Sequence, residues 1–224
     1  MAEKIPAPNG MPEHTATLRS SFYLYETSKE EVVHLTGNLS DGKAINENDM
    51  STTLIKLAKI VLAPILTRIF NKCINDGFYP DCLKVAKLYL SANLENKIFA
   101  QYRPVSILLR FYKIFERILY DRVNFYVQEY KLLSKYQFGF RPRSSTSYAV
   151  ESIYSNLLSN ADNGLYSYST FLDVSKAFDT VNHNILFDKF YHNFGIRGIP
   201  LQLFRSYLAN RKQFVNSRCA IWFS

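Results

Sequence analysis

The chain has 224 residues, of which 47% are hydrophobic and 15% aromatic, and it carries 27 Lys and Arg against 19 Asp and Glu. This composition supports a globular fold with a substantial core and excludes an intrinsically disordered chain. The formal net charge of +8 suits a polyanionic partner, although such a balance also occurs in proteins that bind no nucleic acid.

The sequence indicates neither a membrane segment nor a cysteine framework. No run approaches ~20 uninterrupted apolar residues, and no apolar core follows a basic N-terminal stretch. The three cysteines lack C-x-x-C spacing, and the four histidines form no pair at i, i+4. We therefore expect no zinc site, and we expect Cys73, Cys82 and Cys219 to be small buried hydrophobes in a reducing compartment.

Prolines, helix-capping residues and the lack of hydrophobic periodicity predict the elements of the N-terminal region. Residues 1–19 contain three prolines and predict a mobile leader. Thr27 or Ser28 can cap a first helix, with Glu30 or Glu31 completing the capping box. Residues 38–51 lack hydrophobic periodicity and predict a loop.

Residues 52–75 have helical spacing of apolar side chains, with Pro64 as the expected break between two helical pieces. Gly77 is expected to end the second piece, and a short strand should cover 84–90. Pro104 is expected to open another helical region, whose apolar stripe runs from Phe111 to Val127.

In the C-terminal half, Ser144, Ser145 or Thr146 can start a helix that ends near 163–164. Asn182 can cap a helix that Gly195 ends, and a last helix over 201–209 precedes a short strand over 213–216.

Between these helices, residues 166–174 are rich in aromatic and β-branched side chains, which predicts a buried strand. Asp173 would lie where that strand ends, and there a carboxylate can meet solvent and Mg²⁺ without being buried unpaired. An acidic residue at a strand end is, however, more often only a turn former.

Residues 171–183, Phe-Leu-Asp-Val-Ser-Lys-Ala-Phe-Asp-Thr-Val-Asn-His, resemble the first catalytic motif of reverse transcriptases from non-LTR (LINE-type, jockey-like) retrotransposons. Four further blocks recur in that family in the same order: Tyr102-Arg-Pro-Val-Ser106, Lys113-Ile-Phe-Glu-Arg117, Gln137-Phe-Gly-Phe-Arg-Pro142 and Phe194-Gly-Ile-Arg-Gly198. Weaker similarity extends the resemblance from about residue 20 to about residue 215.

The resemblance implies an α+β fold consisting of the fingers and partial palm of a right-hand polymerase. It divides the chain into the leader 1–19, an N-terminal helix and loop over 20–50, a fingers-like helical region over 51–163, and a partial palm over 164–224. The partial palm would carry the first catalytic strand and stop before the second half of the palm.

The resemblance also implies site residues. Asp173 and the backbone carbonyl of Val174 would bind metal, Arg103 would bind the incoming triphosphate, and Phe178 would pack under its sugar. Template or primer contacts would come from Gln137, Gly139 and Arg141, with Arg143 as a further phosphate contact. Several of these residues have an alternative: Phe178 is a core aromatic, and the arginines are solvated cations. Phe138 and Phe140 could stack on bases or pack in the core. Asp179 is expected to cap the following helix rather than to bind metal.

The implied cofactor is Mg²⁺, and the implied partners are an RNA template, a DNA primer or RNA–DNA hybrid, and deoxynucleoside triphosphates. Two departures stand against catalysis by these residues alone. Ser91-Ala-Asn-Leu-Glu-Asn96 replaces the family's lysine pair with glycine and aspartate, and no Tyr-x-Asp-Asp block occurs in the sequence. One carboxylate cannot hold two Mg²⁺ in catalytic geometry. We therefore expect a polymerase domain that is inactive as these 224 residues, or alternatively a non-catalytic protein that binds RNA or RNA–DNA hybrid.

Overall fold

The computed structural model describes residues 20–40, 51–89, 105–107, 110–215 and 221–223. Its helices are α1 Lys29–Gly37, α2 Thr52–Leu57, α3 Lys59–Asp76, α4 Arg110–Glu129, α5 Thr146–Asp162, α6 His183–His192 and α7 Gly198–Leu208. Its strands are β1 Val85–Tyr89, β2 Val105–Ile107, β3 Lys212–Val215 and β4 Ile221–Phe223. The predicted predominance of helices over strands is confirmed within these residues.

The chain divides into two compact units. The first comprises Met1–Phe125 with His183–Ser224, and the second comprises Tyr126–Asn182. The first unit contains the strands and every helix except α5 and the last turn of α4.

In the first unit the strands form one sheet in the order β2-β1-β3-β4. The central pair, β1 and β3, is parallel, whereas β2 and β4 pair antiparallel at the two edges. A parallel pair requires a long crossover connection, and here the connection is most of the chain. Strands β1 and β3 are where we predicted them, whereas β2 replaces the start of the helical region expected after Pro104. The three-residue β2 exists because Val105 and Ile107 lie against β1, which supplies their backbone partners.

The first helix starts as its sequence predicts. The Ser28 hydroxyl accepts a hydrogen bond from the backbone N–H of Glu31 at 3.1 Å. The Thr27 hydroxyl donates to the Glu31 carboxylate at 2.7 Å, and the Thr27 backbone exchanges two hydrogen bonds with the Asn71 side chain on α3. These contacts fix α1 against α3.

Two helical pieces cover residues 52–76 as expected, but the break lies at Ala58, and Pro64 is inside α3. A proline ring crowds the carbonyl of the residue four positions earlier, here Ile60, and removes one helical hydrogen bond. The proline therefore weakens the helical turn that precedes it. That turn begins at the observed break.

Gly77 ends α3 in the left-handed conformation, with φ of 64°, as predicted. A Cβ atom at this position would lie 3.1 Å from the backbone oxygen of Ile199 and 3.2 Å from the Cβ atom of Gln202. Glycine is thus required both by the backbone angle and by the close approach of α7.

We expect Gly77→Ala to lower the free energy of unfolding by more than the ~1–2 kcal/mol that left-handed geometry alone costs a residue with a Cβ atom. The matched control is Gly198→Ala, where φ is 58° and no described atom lies within 4 Å of the added Cβ. Urea denaturation of both variants measures the difference. Equal destabilisation would show that the α3–α7 contact tolerates the methyl group.

The core of the first unit is a stack of aromatic rings. Phe70 stacks on Phe115 with ring centroids 4.8 Å apart, and Phe115 stacks on Tyr79 at 5.5 Å. Tyr79 in turn meets the edge of Tyr207 at 4.9 Å. This stack joins α3, α4 and α7 around one buried column.

A buried arginine ties the N-terminal segment to α4. The two terminal nitrogens of Arg122 each donate to one oxygen of the Glu31 carboxylate at 2.6 Å. The guanidinium carbon also lies 3.9 Å from the centroid of the Tyr25 ring. Only 5% of the Arg122 surface is exposed, so this charge depends on the partners named.

The cysteines follow the prediction in part. Cys73 is buried, and burial raises the pKa of its thiol to about 11, so it behaves as a small hydrophobe. Cys82 is exposed, which makes the expectation of burial wrong for that residue. Cys219 lies outside the described residues.

None of the described helices combines the length and apolar character that a membrane crossing requires.

Candidate active site

The blocks that carry the family resemblance separate into buried and exposed ones. The block 113–117 is structural, because Ile114 and Phe115 are fully buried in the core of the first unit. Its Glu116 carboxylate accepts a 2.7 Å hydrogen bond from the Tyr207 hydroxyl and lies 3.4 Å from Arg211 Nη2. This block holds α4 against the segment around α7.

The block 194–198 is also structural. Ile196 is buried, and Gly195 adopts a left-handed φ of 63° just after α6. The Gly195 carbonyl accepts a 2.9 Å hydrogen bond from the backbone N–H of Phe22. This block therefore positions the N-terminal segment of the same unit.

The block 137–142, in the second unit, is an exposed loop between α4 and α5. Ser134 organises the loop, because its carbonyl accepts a 3.1 Å hydrogen bond from the Gln137 backbone N–H and a 3.4 Å contact from Arg141 Nη1. A Cβ atom on Gly139 would meet no described atom within 4 Å, and φ there is not left-handed. Neither side-chain packing nor the backbone angle requires glycine at this position. The space beside its Cα atom is therefore open.

The same loop and the start of α5 line an open groove with a cavity volume of about 620 Å³. Its lining includes Gln137, Arg141 and Arg143, which were predicted as contacts from the sequence, and also Phe138. Lys135 and Tyr148, which were not predicted, also line the groove. Residues 130–150 contain four Lys or Arg and no Asp or Glu, which indicates a basic segment but does not by itself single out Lys135 or Tyr148.

The strand predicted over 166–174 is absent. These residues are described, and they form no regular secondary structure; residues 175–180 that follow are turns. Every side chain over 165–180 is exposed, including Asp173, Val174 and Phe178. A strand satisfies its backbone N–H and C=O groups only by pairing, and no described strand pairs with this segment. Its high β propensity is therefore not enough to form one.

The described residues do not form a metal centre by themselves. Among them, no group of three or more His, Cys, Asp or Glu side chains is arranged to hold an ion. Hard divalent cations such as Mg²⁺ take several oxygen ligands. The Asp173 carboxylate is free to act as one ligand, because it has no hydrogen-bond or ion-pair partner in the described part of the chain.

Two aromatic residues from separate blocks meet in the second unit. Phe140 and Phe178 form an edge-to-face pair with ring centroids 5.7 Å apart and an interplanar angle of 81°. Both rings remain mostly exposed, at 87% and 78%. The alternative assignment of these two residues to a core is therefore wrong for the described chain.

Three further predictions concern Arg103, the helix expected beside it and the start of α6. Arg103 lies outside the described residues, and the helix expected to begin beside it is preceded by β2. Helix α6 starts directly after Asn182, as predicted, whereas Asp179 precedes that helix by four residues and does not cap it.

The class of protein follows from a comparison with known families. Residues 95–222 match the family described as reverse transcriptase (RNA-dependent DNA polymerase). Since the match covers more than half of the chain, the chain belongs to the reverse transcriptase family. All seven candidate site residues lie within the matched range: Arg103, Gln137, Gly139, Arg141, Asp173, Val174 and Phe178.

Several relatives are named as RNA-directed DNA polymerases of transposons or mobile elements. The chain is similar to the probable RNA-directed DNA polymerase from transposon BS of Drosophila melanogaster, with 27% identity over 194 residues, 84% of this chain and 21% of that protein. It is similar to the RNA-directed DNA polymerase from mobile element jockey of Drosophila melanogaster, with 30% identity over 165 residues, 73% of this chain and 18% of that protein. The chain spans about a fifth of the length of the curated relatives it matches.

Proposed function

We propose that this chain is part of an RNA-directed DNA polymerase of a non-LTR retrotransposon and contributes the fingers and the first part of the palm of a right-hand polymerase. The observation that carries the proposal is the family match over 95–222, which includes every candidate site residue. The exposure of the two blocks 137–142 and 171–183 supports it, because residues kept out of the core are available to substrates.

The proposed organisation is a leader over 1–19, an N-terminal helix and loop over 20–50, a fingers region over 51–163 and a partial palm over 164–224. The proposed substrates are deoxynucleoside triphosphates and a DNA primer on an RNA template.

The proposed roles are those of the family. Asp173 and the Val174 carbonyl would hold Mg²⁺, which would supply positive charge next to the reacting phosphate. The described residues alone do not supply enough ligands to coordinate such an ion, so further oxygen ligands are needed. Arg103 holds the triphosphate through its planar set of donors, and Phe178 occupies the space beside the sugar where a 2′-hydroxyl would lie. Gln137, Gly139 and Arg141 contact template or primer.

The direct test is a chimera in which residues 95–222 of this chain, the range that matches the family, replace their counterparts in the jockey polymerase. We expect Mg²⁺-dependent DNA synthesis on an RNA template by this chimera. A chimera that melts cooperatively yet makes no DNA, beside an active jockey polymerase, would contradict the proposal.

We expect no primer extension by the 224 residues on their own. The reason is that the sequence contains the Asp173 motif but no Tyr-x-Asp-Asp block, and losing essential ligands costs orders of magnitude in rate. A gel assay with labelled primer, RNA template and Mg²⁺ measures this, and jockey polymerase is the positive control. Extension that disappears on Asp173→Ala would prove the expectation wrong.

A second function, binding RNA or RNA–DNA hybrid without catalysis, is favoured for the isolated chain by one observation. The groove beside α5 gathers cationic and aromatic side chains whether or not a metal centre is complete.

A further inference from the structure

The edge-to-face contact of Phe140 with Phe178 joins two separate sequence blocks within the second unit. Phe140 belongs to the loop between α4 and α5, and Phe178 belongs to the turns that follow Asp173. Both residues lie within Tyr126–Asn182, so the contact is internal to one compact unit. The centroid separation of 5.7 Å is within the range that favours such pairs.

The loop around Phe140 is hydrogen-bonded on both sides of the ring. The Gln137 amide donates to the Gly139 carbonyl at 3.5 Å, and Arg141 Nη1 donates to the Ser134 carbonyl at 3.4 Å. Between these contacts Phe140 adopts a left-handed φ of 56°, which is uncommon for a bulky residue. Gly139 could take such an angle at lower cost, yet its φ is not left-handed. The backbone strain therefore falls on Phe140, and strain of this kind is often found at functional sites.

The two phenylalanines of this loop have different surroundings. Phe138 lines the groove beside α5, whereas Phe140 is not part of that lining. The ring of Phe140 instead contacts the ring of Phe178. Phe138 is therefore a natural control for Phe140, because it has the same side chain in the same loop without this contact.

Phe178 has a fixed backbone but a weakly packed ring. The Lys176 carbonyl accepts hydrogen bonds from the backbone N–H groups of Asp179 at 2.8 Å and Thr180 at 3.2 Å, which closes the turn that contains Phe178. The ring itself is 78% exposed. Among the described residues, its aromatic contact is with Phe140. The orientation of the Phe178 ring therefore depends on Phe140.

We infer that Phe140 is a positioning residue that orients the Phe178 ring and thereby sets how strongly the site prefers deoxynucleoside over ribonucleoside triphosphates. The inference rests on the proposed function, which places Phe178 where a 2′-hydroxyl would lie. A ring excludes that hydroxyl only when it is held in place, and a misplacement of about 1 Å can change a rate about a hundredfold. Phe140 acts through Phe178 and is not itself a catalytic residue.

The first test measures sugar selectivity in the jockey chimera. The selectivity is the ratio of kcat/KM for a deoxynucleoside triphosphate to kcat/KM for the matching ribonucleoside triphosphate. Phe140→Leu should lower this ratio about fivefold, the factor that corresponds to the loss of one edge-to-face pair. Phe140→Tyr keeps the ring and should restore the ratio. Phe138→Leu is the matched control and should leave the ratio unchanged, whatever its effect on the rate.

A double substitution tests whether Phe140 acts through Phe178. Phe178→Leu alone should lower the selectivity ratio, and adding Phe140→Leu to it should lower the ratio no further. The inference is overturned if Phe140→Leu leaves the ratio unchanged, if Phe138→Leu lowers it equally, or if the effects of Phe140→Leu and Phe178→Leu multiply. A general loss of structure would not change the ratio in this pattern.

The second test needs no catalysis. In NMR spectra of the 224-residue chain with ¹³C-labelled phenylalanine, we expect a nuclear Overhauser effect between the Phe140 and Phe178 rings. We also expect the Phe178 resonances to shift in Phe140→Leu but not in Phe138→Leu. Absence of the Overhauser effect, or unshifted Phe178 resonances in Phe140→Leu, would overturn the inference by itself.

The two tests separate failure of the inference from failure of the proposed function. An inactive chimera, or a selectivity ratio that Phe178→Leu leaves unchanged, would defeat the proposed function and the selectivity role that rests on it. An active chimera in which Phe178→Leu lowers the ratio and Phe140→Leu does not would defeat the inference alone.

Discussion

Arg122→Ala is expected to lower the free energy of unfolding of the first unit by about 3 kcal/mol, because it removes one partner of a buried ion pair. The Glu31 carboxylate would lose two hydrogen bonds of 2.6 Å while only 27% of its side chain is exposed. The Tyr25 ring would also lose the guanidinium packed against it. Guanidinium denaturation followed by far-UV circular dichroism measures the change.

Arg117→Ala is the matched control, because Arg117 lies on the same helix and pairs with Asp121 at 3.0 Å. That pair is solvent-exposed, with 59% of the arginine side chain accessible, and such pairs contribute at most about 1 kcal/mol. Equal effects of the two substitutions would contradict the view that Arg122 ties the N-terminal segment to α4.

The same ion pair predicts an acid-side pH dependence. The hydrogen bond from Arg122 holds the pKa of the Glu31 carboxyl below its ordinary value, and the bond from Thr27 acts in the same direction, while burial opposes both. A lowered pKa in the folded state means that the stabilisation is present above the ordinary glutamate pKa and is lost as pH falls through the lowered value. We therefore expect stability to decline below roughly pH 4, with a smaller decline in Glu31→Gln.

Elements with local signals were predictable from the sequence. The capping hydroxyl of Ser28, the left-handed Gly77 and the α5 cap at Ser145 each act within one turn of a helix, and the structure has all three. Residue type alone specifies such contacts, because the partner is the neighbouring backbone.

Elements that depend on distant partners were less predictable. The segment 166–174 has strand composition but no strand to pair with among the described residues, whereas β2, only three residues long, forms because β1 is beside it. Composition reports how well a residue suits a sheet and not whether a sheet is present.

In the candidate site, too, the contacts between distant residues were less predictable than the local signals. The exposed loop 137–142 and the residues Arg141 and Arg143 could be found from the sequence, but the participation of Lys135 and Tyr148 required the groove. The net charge of +8 did not indicate this location, because the unit that contains the groove is neutral in total. Two of the blocks that support the family resemblance are packing elements, which only burial could reveal.

Asp173→Asn is expected to reduce DNA synthesis by the jockey chimera about a thousandfold or more, because the substitution removes the charge of the motif carboxylate that we propose as a Mg²⁺ ligand. The side chain is exposed and has no partner in the described chain, so folding should not change. Asp162→Asn, at the exposed end of α5 and outside the motif, is the matched control and should retain activity.

The most direct test of the role of Asp173 is therefore the rate of Mg²⁺-dependent DNA synthesis on an RNA template by three proteins: the chimera, its Asp173→Asn variant and its Asp162→Asn variant. We expect synthesis by the first and third and none above background by the second, with equal melting temperatures for all three. Synthesis by the Asp173→Asn chimera at the rate of its control would contradict the assignment of Asp173 to the catalytic centre.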